Sequence, residues 1–181
     1  MKNDKVLKEL LDWMLHIALA VAFTFLIINY VGQFTVVQGN SMLPTLKPNS
    51  VLFMEKLTRR FGSLKQGDIV VVKIPELLGG GKTYAVKRII ATGGQKVTIK
   101  DGKVYVDGVE LSEEYINGAG TFAEKGMYDD ITLPDDCIYV LGDNRYPGAS
   151  KDSRTFGPVN LERVEGKVIF RIFPLSEIGR I

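Results

Sequence analysis

The sequence predicts a mainly β protein, in which an N-terminal transmembrane helix precedes an antiparallel β-sheet that carries a small β insert. Three observations favour this class. An apolar run near the N-terminus is long enough to span a bilayer, and short β-rich runs bounded by turn residues fill the rest of the chain. No long helical periodicity follows the apolar run.

The apolar run extends from Trp13 to Val31 and carries no formal charge apart from an ionisable His16. As a helix it would span about 28 Å, close to the roughly 30 Å of a bilayer's hydrocarbon core. No small-residue cleavage site follows it, which argues against a cleaved signal peptide, and it has no polar face, which argues against a core helix. We therefore expect a transmembrane helix over 13–31, bracketed by Trp13 and Tyr30.

The charges around this helix predict its orientation. Lys2, Lys5 and Lys8 precede it, and the next basic residue after it is Lys47. The excess of positive charge on the cytoplasmic side of membrane helices places residues 1–12 in the cytoplasm and the remainder outside. We expect a single-pass protein of the cell membrane that contacts the lipid bilayer and folds on the extracytoplasmic face.

Beyond the helix, β-rich runs predict an antiparallel sheet. They are Gly67–Ile74, Thr83–Thr92, Lys96–Leu111, Cys137–Asp143 and Gly166–Phe173. Within the third run, Asp101-Gly102 and Asp107-Gly108 are strong signals for tight hairpin turns.

Two stretches between these runs predict loops. One is 77–82, which contains three successive glycines, and the other is 113–136, an acidic stretch that we interpret as a solvated loop. The chain therefore divides into a core over 32–95 and 137–181 and a hairpin-and-loop insert over 96–136.

Composition excludes several kinds of site. The chain has one cysteine, Cys137, and one histidine, His16, so it has no intrachain disulfide, no His/Cys zinc site and no histidine-dependent triad in the folded part. The net charge is +2 and the basic residues are scattered, so no nucleic-acid partner is expected. We expect no metal and no cofactor.

The segment "GNSMLPTL" presents Ser41 either as a turn residue or as a nucleophile. Because the only histidine lies in the apolar run, a base for Ser41 has to be a carboxylate or a lysine. A lysine accepts a proton only when it is neutral, and its ordinary pKa is about 10.4. Burial in an apolar site can lower that pKa, so the candidate base is a lysine inside an apolar strand.

Two lysines meet this condition. Lys87 in "TYAVKRII" would share a strand face with Ala85 and Ile89, with Arg88 on the other face. Lys73 in "VVVKIP" fits the same description. The spacing does not separate the two, and either can be an ordinary exposed strand lysine.

Four segments, in this order after the apolar helix, resemble the type I signal peptidases of bacteria: "GNSMLPTL", "GDIVVVK", "YAVKRIIATGG" and "GDNRYPGASKDSRTFGPV". The resemblance covers the helix and most of 35–95 and 137–175. It implies a membrane-bound serine endopeptidase that removes signal peptides from exported preproteins at the outer face of the membrane. It also implies cleavage after small residues at positions −1 and −3 and a place next to the secretion machinery.

The resemblance assigns roles to individual residues. Ser41 corresponds to the nucleophile, Lys87 to the general base and Ser150 to the hydroxyl that orients the lysine amine. The residues that correspond to those holding the supporting loop are Asp143, Asn144, Arg145, Asp152 and Arg154. The loop before Ser150 is about two residues longer than usual, and a turn at Pro147-Gly148 can absorb the extra length.

Further expectations concern the oxyanion and the substrate. The Ser41 N–H is one expected oxyanion donor, and Gly39 occupies a position where many family members have a hydroxyl, so we expect a backbone N–H there as the second. The substrate is expected to add as an extended strand beside 35–39 and 85–87. The residues expected along it are Val37, Gln38, Met42, Leu46 and Val86, whose apolar members can equally be core residues.

Two other functions fit parts of the sequence. One is a catalytically inactive, membrane-anchored homologue that binds export substrates, and the presence of both Ser41 and Lys87 argues against it. The other is a self-processing Ser–Lys protease of the kind found in SOS repressors. The apolar helix, and the lack of a segment resembling a DNA-binding helix, argue against that alternative.

Overall fold

The computed structural model of the chain describes residues 2–74, 76, 83–123 and 128–181. The predicted loop over 77–82 lies outside the described residues. The described part consists of an N-terminal helix followed by two antiparallel sheets, so the predicted mainly β class is confirmed.

The N-terminal helix α1 (Lys2–Leu26) continues into a π-helical turn (Ile27–Val31). Within Lys5–Val31 an 18-residue window has a mean hydropathy of 2.1, and among the described residues this is the one helix long and apolar enough to cross a membrane. Its large apolar side chains are not covered by the rest of the protein: Trp13 is 69% exposed and Phe23 is 66% exposed. This helix is therefore not a core element of the folded part.

The strands, in chain order, are β1 (Gly32–Val36), β2 (Val51–Glu55), β3 (Ile69–Lys73), β4 (Tyr84–Thr92), β5 (Lys96–Lys100), β6 (Lys103–Val106), β7 (Val109–Glu110), β8 (Asp130–Thr132), β9 (Cys137–Leu141), β10 (Val159–Asn160), β11 (Val164–Phe173) and β12 (Gly179–Arg180). Two short helices, α2 (Leu57–Phe61) and α3 (Ser153–Phe156), and two 3-10 turns, Leu161–Arg163 and Leu175–Glu177, lie between them.

In the described residues the larger sheet has eight strands in the order β1-β2-β11-β3-β4-β9-β10, with β12 paired to β11. The central strand β3 buries residues on both faces. Ile69 and Val71 pack on one side, while Val70 and Val72 pack on the other. A strand that is buried on both faces has a continuous run of apolar residues in its sequence and no alternation of apolar and polar residues. Lys73 ends this run and is exposed.

The smaller sheet has the order β7-β6-β5-β8 and lies within the insert predicted over 96–136. Its two hairpin turns have positive φ at both central residues: 52° and 77° at Asp101 and Gly102, and 52° and 80° at Asp107 and Gly108. Asp-Gly accepts this conformation at low cost, and the predicted hairpins are confirmed.

The two sheets share one apolar core. Ile90 and Tyr139 of the larger sheet pack in the same cluster as Val97 and Val104 of the smaller sheet, and these four side chains are fully buried. The insert is therefore packed against the main sheet and does not extend freely from it.

The interpretation of 113–136 as a solvated loop is wrong for several of its residues. Thr121 is fully buried, and the Glu113 side chain is only 7% exposed. The Asn117 N–H donates to the Asp143 carbonyl at 2.9 Å, and the Arg145 N–H donates to the Asn117 carbonyl at 2.8 Å. The acidic and glycine-containing composition of this stretch did not reveal that it packs against residues 143–145.

Candidate active site

Ser41 lies in a loop between β1 and β2 whose apolar underside is fixed in the core. Met42 is 1% exposed and Leu46 is fully buried, in the same cluster as Val37. The Leu46 N–H donates to the Met42 carbonyl at 2.8 Å, and the Val37 N–H donates to the Ser50 carbonyl at 2.9 Å. These contacts hold the loop that presents Ser41, which is itself partly exposed.

Lys87 reaches Ser41 from strand β4. Its Nζ donates to Ser41 Oγ at 2.8 Å, and the residue is only 2% exposed. Ala85 and Ile89 pack in one core cluster while Val86 packs in the other, so the predicted alternation along β4 is confirmed. Of the two lysines that the spacing left open, the structure brings Lys87, the one assigned by the resemblance, to Ser41 and leaves Lys73 exposed.

The Ser41–Lys87 pair opens onto a cleft of about 910 Å³. The cleft is lined by residues 34–42 and 83–87, together with Val71 and residues 148, 149 and 151. Four of the five residues expected along the substrate are in this lining, namely Val37, Gln38, Met42 and Val86. Leu46 is not in it. It lies one turn beyond Met42 and points into the core, so its place on the substrate path is corrected.

Gly39 and the Ser41 N–H both lie at this cleft. Gly39 has φ of +89°, and an added methyl group would meet no atom within 4 Å, so the backbone conformation rather than crowding favours glycine. In the described part of the chain the Ser41 N–H donates to no protein acceptor. That leaves it available to an oxygen placed in the cleft.

Residues 142–145 hold the backbone around Ser41. The Asn144 N–H donates to the Ser41 carbonyl at 3.0 Å, and Asn144 Nδ2 donates to the Asn40 carbonyl at 3.0 Å. Gly142 lies between two serines, because a methyl group on it would overlap both the Ser41 carbonyl and the Ser150 hydroxyl. The close approach of these segments therefore depends on glycine at 142.

Asp143 is fully buried and is paired with Arg88 from β4. Arg88 donates to its two carboxylate oxygens at 2.8 Å and 2.7 Å, and the Thr45 hydroxyl donates to it as well. The Arg88 guanidinium stacks on the ring of Tyr115, 4.0 Å from its centroid. Burial, with the nearby Glu113 carboxylate, raises the pKa of Tyr115, so its phenol stays protonated and donates to Glu113 at 3.0 Å.

Arg145 forms a second buried pair, with Glu113 of the insert. Its guanidinium donates to the two Glu113 carboxylate oxygens at 3.0 Å and 2.6 Å, to the Gly142 carbonyl at 2.7 Å and to Thr121. This bidentate geometry is the strong form of an arginine–carboxylate contact. The Arg145–Glu113 pair therefore joins the segment 142–145, which follows β9, to the insert.

Asp152 and Arg154 form a third buried pair, with two contacts of 2.9 Å. Burial alone would raise the pKa of Asp152, but the hydrogen bonds and charge of Arg154 outweigh it and lower that pKa. Asp152 also accepts from the Gly142 N–H at 3.1 Å. An ionised Asp152 therefore helps to fix the glycine that separates Ser41 from Ser150.

The two serines of the "SKDSR" segment occupy different environments. The Ser153 hydroxyl accepts from the Val140 N–H at 2.9 Å and so belongs to the end of β9. Ser150 is 4% exposed, and its hydroxyl lies beside the Asp152 carboxylate, whose pKa it helps to lower. Its role toward the Lys87 amine remains a prediction. The expected turn at Pro147-Gly148 is present, with the Ala149 N–H donating to the Tyr146 carbonyl at 3.0 Å.

Sequence reasoning missed several residues of this network. They are Thr45, Arg88, Glu113, Tyr115 and Thr121. The alternation of β4 placed Arg88 opposite Lys87 but gave no partner for it, because Asp143 is distant in the chain. Three buried acid–arginine pairs thus surround the Ser41–Lys87 contact.

Comparisons with known proteins identify the family of the chain. A family model described as "Signal peptidase, peptidase S26" matches residues 10–173. Signal peptidase IB of Staphylococcus aureus (strain Mu50) is 34% identical over 184 aligned positions, which cover 94% of this chain and 93% of that protein. Signal peptidase I of Bacillus licheniformis is 33% identical, covering 99% of this chain and 97% of that protein.

A crystal structure of a signal peptidase I from Enterococcus faecalis V583 is also similar. It is 30% identical, covers 58% of this chain and 96% of its own, and has a TM-score of 0.45. The family match and the curated relatives span nearly the whole chain. The chain belongs to the signal peptidase family, peptidase S26, and the resemblance seen in the sequence is confirmed. It is accordingly a serine peptidase that hydrolyses peptide bonds, and its family supports the cleavage of signal peptides.

Proposed function

We propose that this chain is a membrane-anchored endopeptidase that removes N-terminal signal peptides from exported preproteins by a Ser–Lys mechanism. The observation that carries the proposal is the 2.8 Å contact between Lys87 Nζ and Ser41 Oγ beside an open cleft. A nucleophile within hydrogen-bonding reach of its base is the arrangement that covalent catalysis requires.

In the proposed reaction the neutral Lys87 amine takes the proton of the Ser41 hydroxyl as Oγ attacks the scissile carbonyl. The carbonyl oxygen becomes an oxyanion, which accepts a hydrogen bond from the Ser41 N–H and from a second backbone donor near Gly39. The C–N bond then breaks, and the Lys87 ammonium returns the proton to the leaving amine. Water, deprotonated by Lys87, hydrolyses the Ser41 ester and frees the enzyme.

The buried pairs around the site act as its supports in this proposal. Asp143, Asp152 and Glu113 each neutralise an arginine, and all three pairs contact residues 142–145. That segment in turn bonds to the Ser41 carbonyl. Such support holds the nucleophile in position before substrate arrives, which lowers the barrier because little reorganisation is needed.

The substrate is proposed to bind as an extended strand. β1 is at one edge of the larger sheet, and the cleft lining runs from β1 into the Ser41 loop. A peptide can therefore add beside it by backbone hydrogen bonding. Buried Val37 and Met42 and partly buried Val86 form an apolar cleft wall, at which we expect the small side chains at −1 and −3 to lie.

The anchor is proposed to be the helix that extends to Val31, with its N-terminus in the cytoplasm. A signal peptide held in the same bilayer, beside the secretion machinery, would then reach the cleft from the outer face. Protease added to spheroplasts should digest the folded part after Gly32 and leave residues 1–12 protected. Protection of the folded part with digestion of the N-terminus would reverse the orientation.

The test of the activity uses the full chain in detergent with a purified preprotein, and mass spectrometry to locate the cut. We expect a single cleavage at the end of the signal peptide, lost in Ser41→Ala because the nucleophile is absent. Ser112→Ala, at an exposed serine outside the cleft, is the matched control and should cleave normally. Normal turnover by Ser41→Ala would refute the assignment of the nucleophile.

A further inference from the structure

The C-terminal end of the membrane helix has an unusual set of partners. A helix leaves its last carbonyl groups without partners of its own. Here the Gly32 N–H bonds to the Ile27 carbonyl and closes the π-helical turn. The four carbonyls that follow, in residues 28–31, all accept hydrogen bonds from Lys56 and Arg60.

Lys56 binds the first and the last of these carbonyls. Its Nζ donates to the Ile28 carbonyl at 3.0 Å, and its backbone N–H donates to the Val31 carbonyl at 2.9 Å. The same Nζ also donates to Gln33 Oε1 at 3.0 Å, just beyond the helix. One lysine therefore spans the whole end of the helix.

Arg60 binds the two carbonyls between them. Its Nη2 donates to the Asn29 carbonyl at 3.1 Å and its Nη1 to the Tyr30 carbonyl at 3.4 Å. The guanidinium also stacks on the Tyr30 ring, 4.5 Å from its centroid. Cations at this end of a helix are favoured by its dipole.

The two cations belong to a segment that is fixed to the larger sheet. The Glu55 carboxylate, at the end of β2, accepts from the N–H groups of Leu57 and Thr58 at 2.7 Å and 2.9 Å. At Gly32 an added methyl group would lie 2.6 Å from the Met54 carbonyl, so the helix end meets β2 closely. The bonds from Lys56 and Arg60 therefore join the helix to the sheet that forms the cleft.

We propose that Lys56 and Arg60 are positioning residues that lock the orientation of the membrane helix relative to the cleft, so that Ser41 meets the cleavage site of a substrate held in the same bilayer. This inference rests on the proposed function. Four bonds to four consecutive carbonyls cannot all persist if the helix rotates about its axis. β1 starts at Gly32 and its residue Phe34 already lines the cleft, so a turn or tilt of the helix changes the direction in which the intact cleft faces relative to the bilayer.

The test compares two substrates, a preprotein inserted in vesicles and a short soluble peptide with the same cleavage site. Arg60→Ala and Lys56→Ala should lower kcat/KM for the inserted preprotein by about tenfold, the loss expected when charge-assisted bonds that hold a productive orientation are removed. Cleavage of the soluble peptide should be unchanged, since neither residue contacts the cleft. Arg60→Lys should restore part of the loss.

Arg59→Ala is the matched control. It removes the same charge from the same short helix, but Arg59 donates to the Glu162 carbonyl at 3.2 Å and not to the membrane helix. An equal loss in Arg59→Ala and Arg60→Ala would overturn the proposal in favour of a general effect of charge at the membrane. Equal losses on both substrates, or no loss, would also overturn it. Failure of the unsubstituted protein to cut either substrate would instead refute the proposed function.

A distance measurement tests the fixed orientation of the helix without an activity assay. Spin labels at Phe23→Cys in the helix and Val109→Cys in the smaller sheet, both exposed positions, are placed in a Cys137→Ser background in nanodiscs. One narrow distance distribution is expected, and Arg60→Ala should broaden it while Arg59→Ala leaves it unchanged. An unchanged distribution in Arg60→Ala would overturn the proposal.

Discussion

At the scale of single residues, the decisive difference is between two lysines that look alike in the sequence. Lys87 lies within β4, is 2% exposed and contacts Ser41, whereas Lys73 is the last residue of β3 and is exposed. Both follow apolar residues, so local periodicity gives the same pattern for each. In the structure the contact with Ser41, which lies 46 residues away in the chain, separates them.

The two lysines give a matched pair of variants. Lys87→Ala should abolish preprotein cleavage because no base remains, and Lys73→Ala should keep most of it. Lys87→Arg should be inactive at every pH, since a guanidinium stays protonated, while the unsubstituted enzyme should become faster as pH rises and the amine becomes neutral. Initial rates of the four proteins from neutral to alkaline pH check this. Loss of activity in Lys73→Ala with retention in Lys87→Ala would show that the base has been misassigned.

At the scale of secondary-structure elements, the sequence predicted the strands and turns that are marked by residues close to them in the chain. The Asp-Gly turns and the runs that became β3, β4, β9 and β11 were recognisable because turn residues bound them. β1 and β2 were missed as strands. β1 follows the apolar helix without a turn residue before Gly32, and β2 has only five residues, of which Leu52 and Met54 are buried.

Within the site, the limits of the sequence are clearest at the ion pairs. Ser41 and Lys87 were assigned because the segments that contain them resemble those of the type I signal peptidases. Glu113 was not, because its partner Arg145 lies 32 residues further along the chain and nothing local marks the pairing. Leu46 was placed on the substrate path for a related reason: a short loop does not reveal which of its apolar residues points into the core.

The Glu113–Arg145 pair allows a test of stability. Both side chains are buried, at 7% and 0% exposed, so Glu113→Ala leaves a charged guanidinium uncompensated and should lower the free energy of unfolding by about 3–5 kcal/mol. Glu110→Ala is the control, because its pair with Lys103 is half exposed and should matter little. Urea unfolding followed by circular dichroism measures both. Similar small losses in the two variants would mean that the insert is not tied to residues 142–145 as strongly as its geometry indicates.

At the scale of the whole molecule, the candidate site is formed by segments from several distant parts of the described chain. The end of the N-terminal helix leads through β1 to the Ser41 loop, β4 supplies Lys87, and the segment after β9 supplies the supports. The insert reaches the same place through Glu113. The candidate site is thereby assembled from a few short segments around the larger sheet, and the N-terminal helix leads directly into the cleft wall.

The shared core of the two sheets determines how the molecule opens. Ile90 and Tyr139 complete the apolar face formed by Val97 and Val104, so the smaller sheet cannot detach without exposing residues of the larger one. Native-state hydrogen exchange should therefore find the slowest amides of β5 and β6 opening with the same free energy as those of β4 and β9. A distinctly lower value for β5 and β6 would mean that the insert unfolds by itself. If the molecule opens as a single cooperative unit, the insert is a separate segment in the order of the chain but not in its energetics, and weakening it would shorten the time for which Lys87 stays buried.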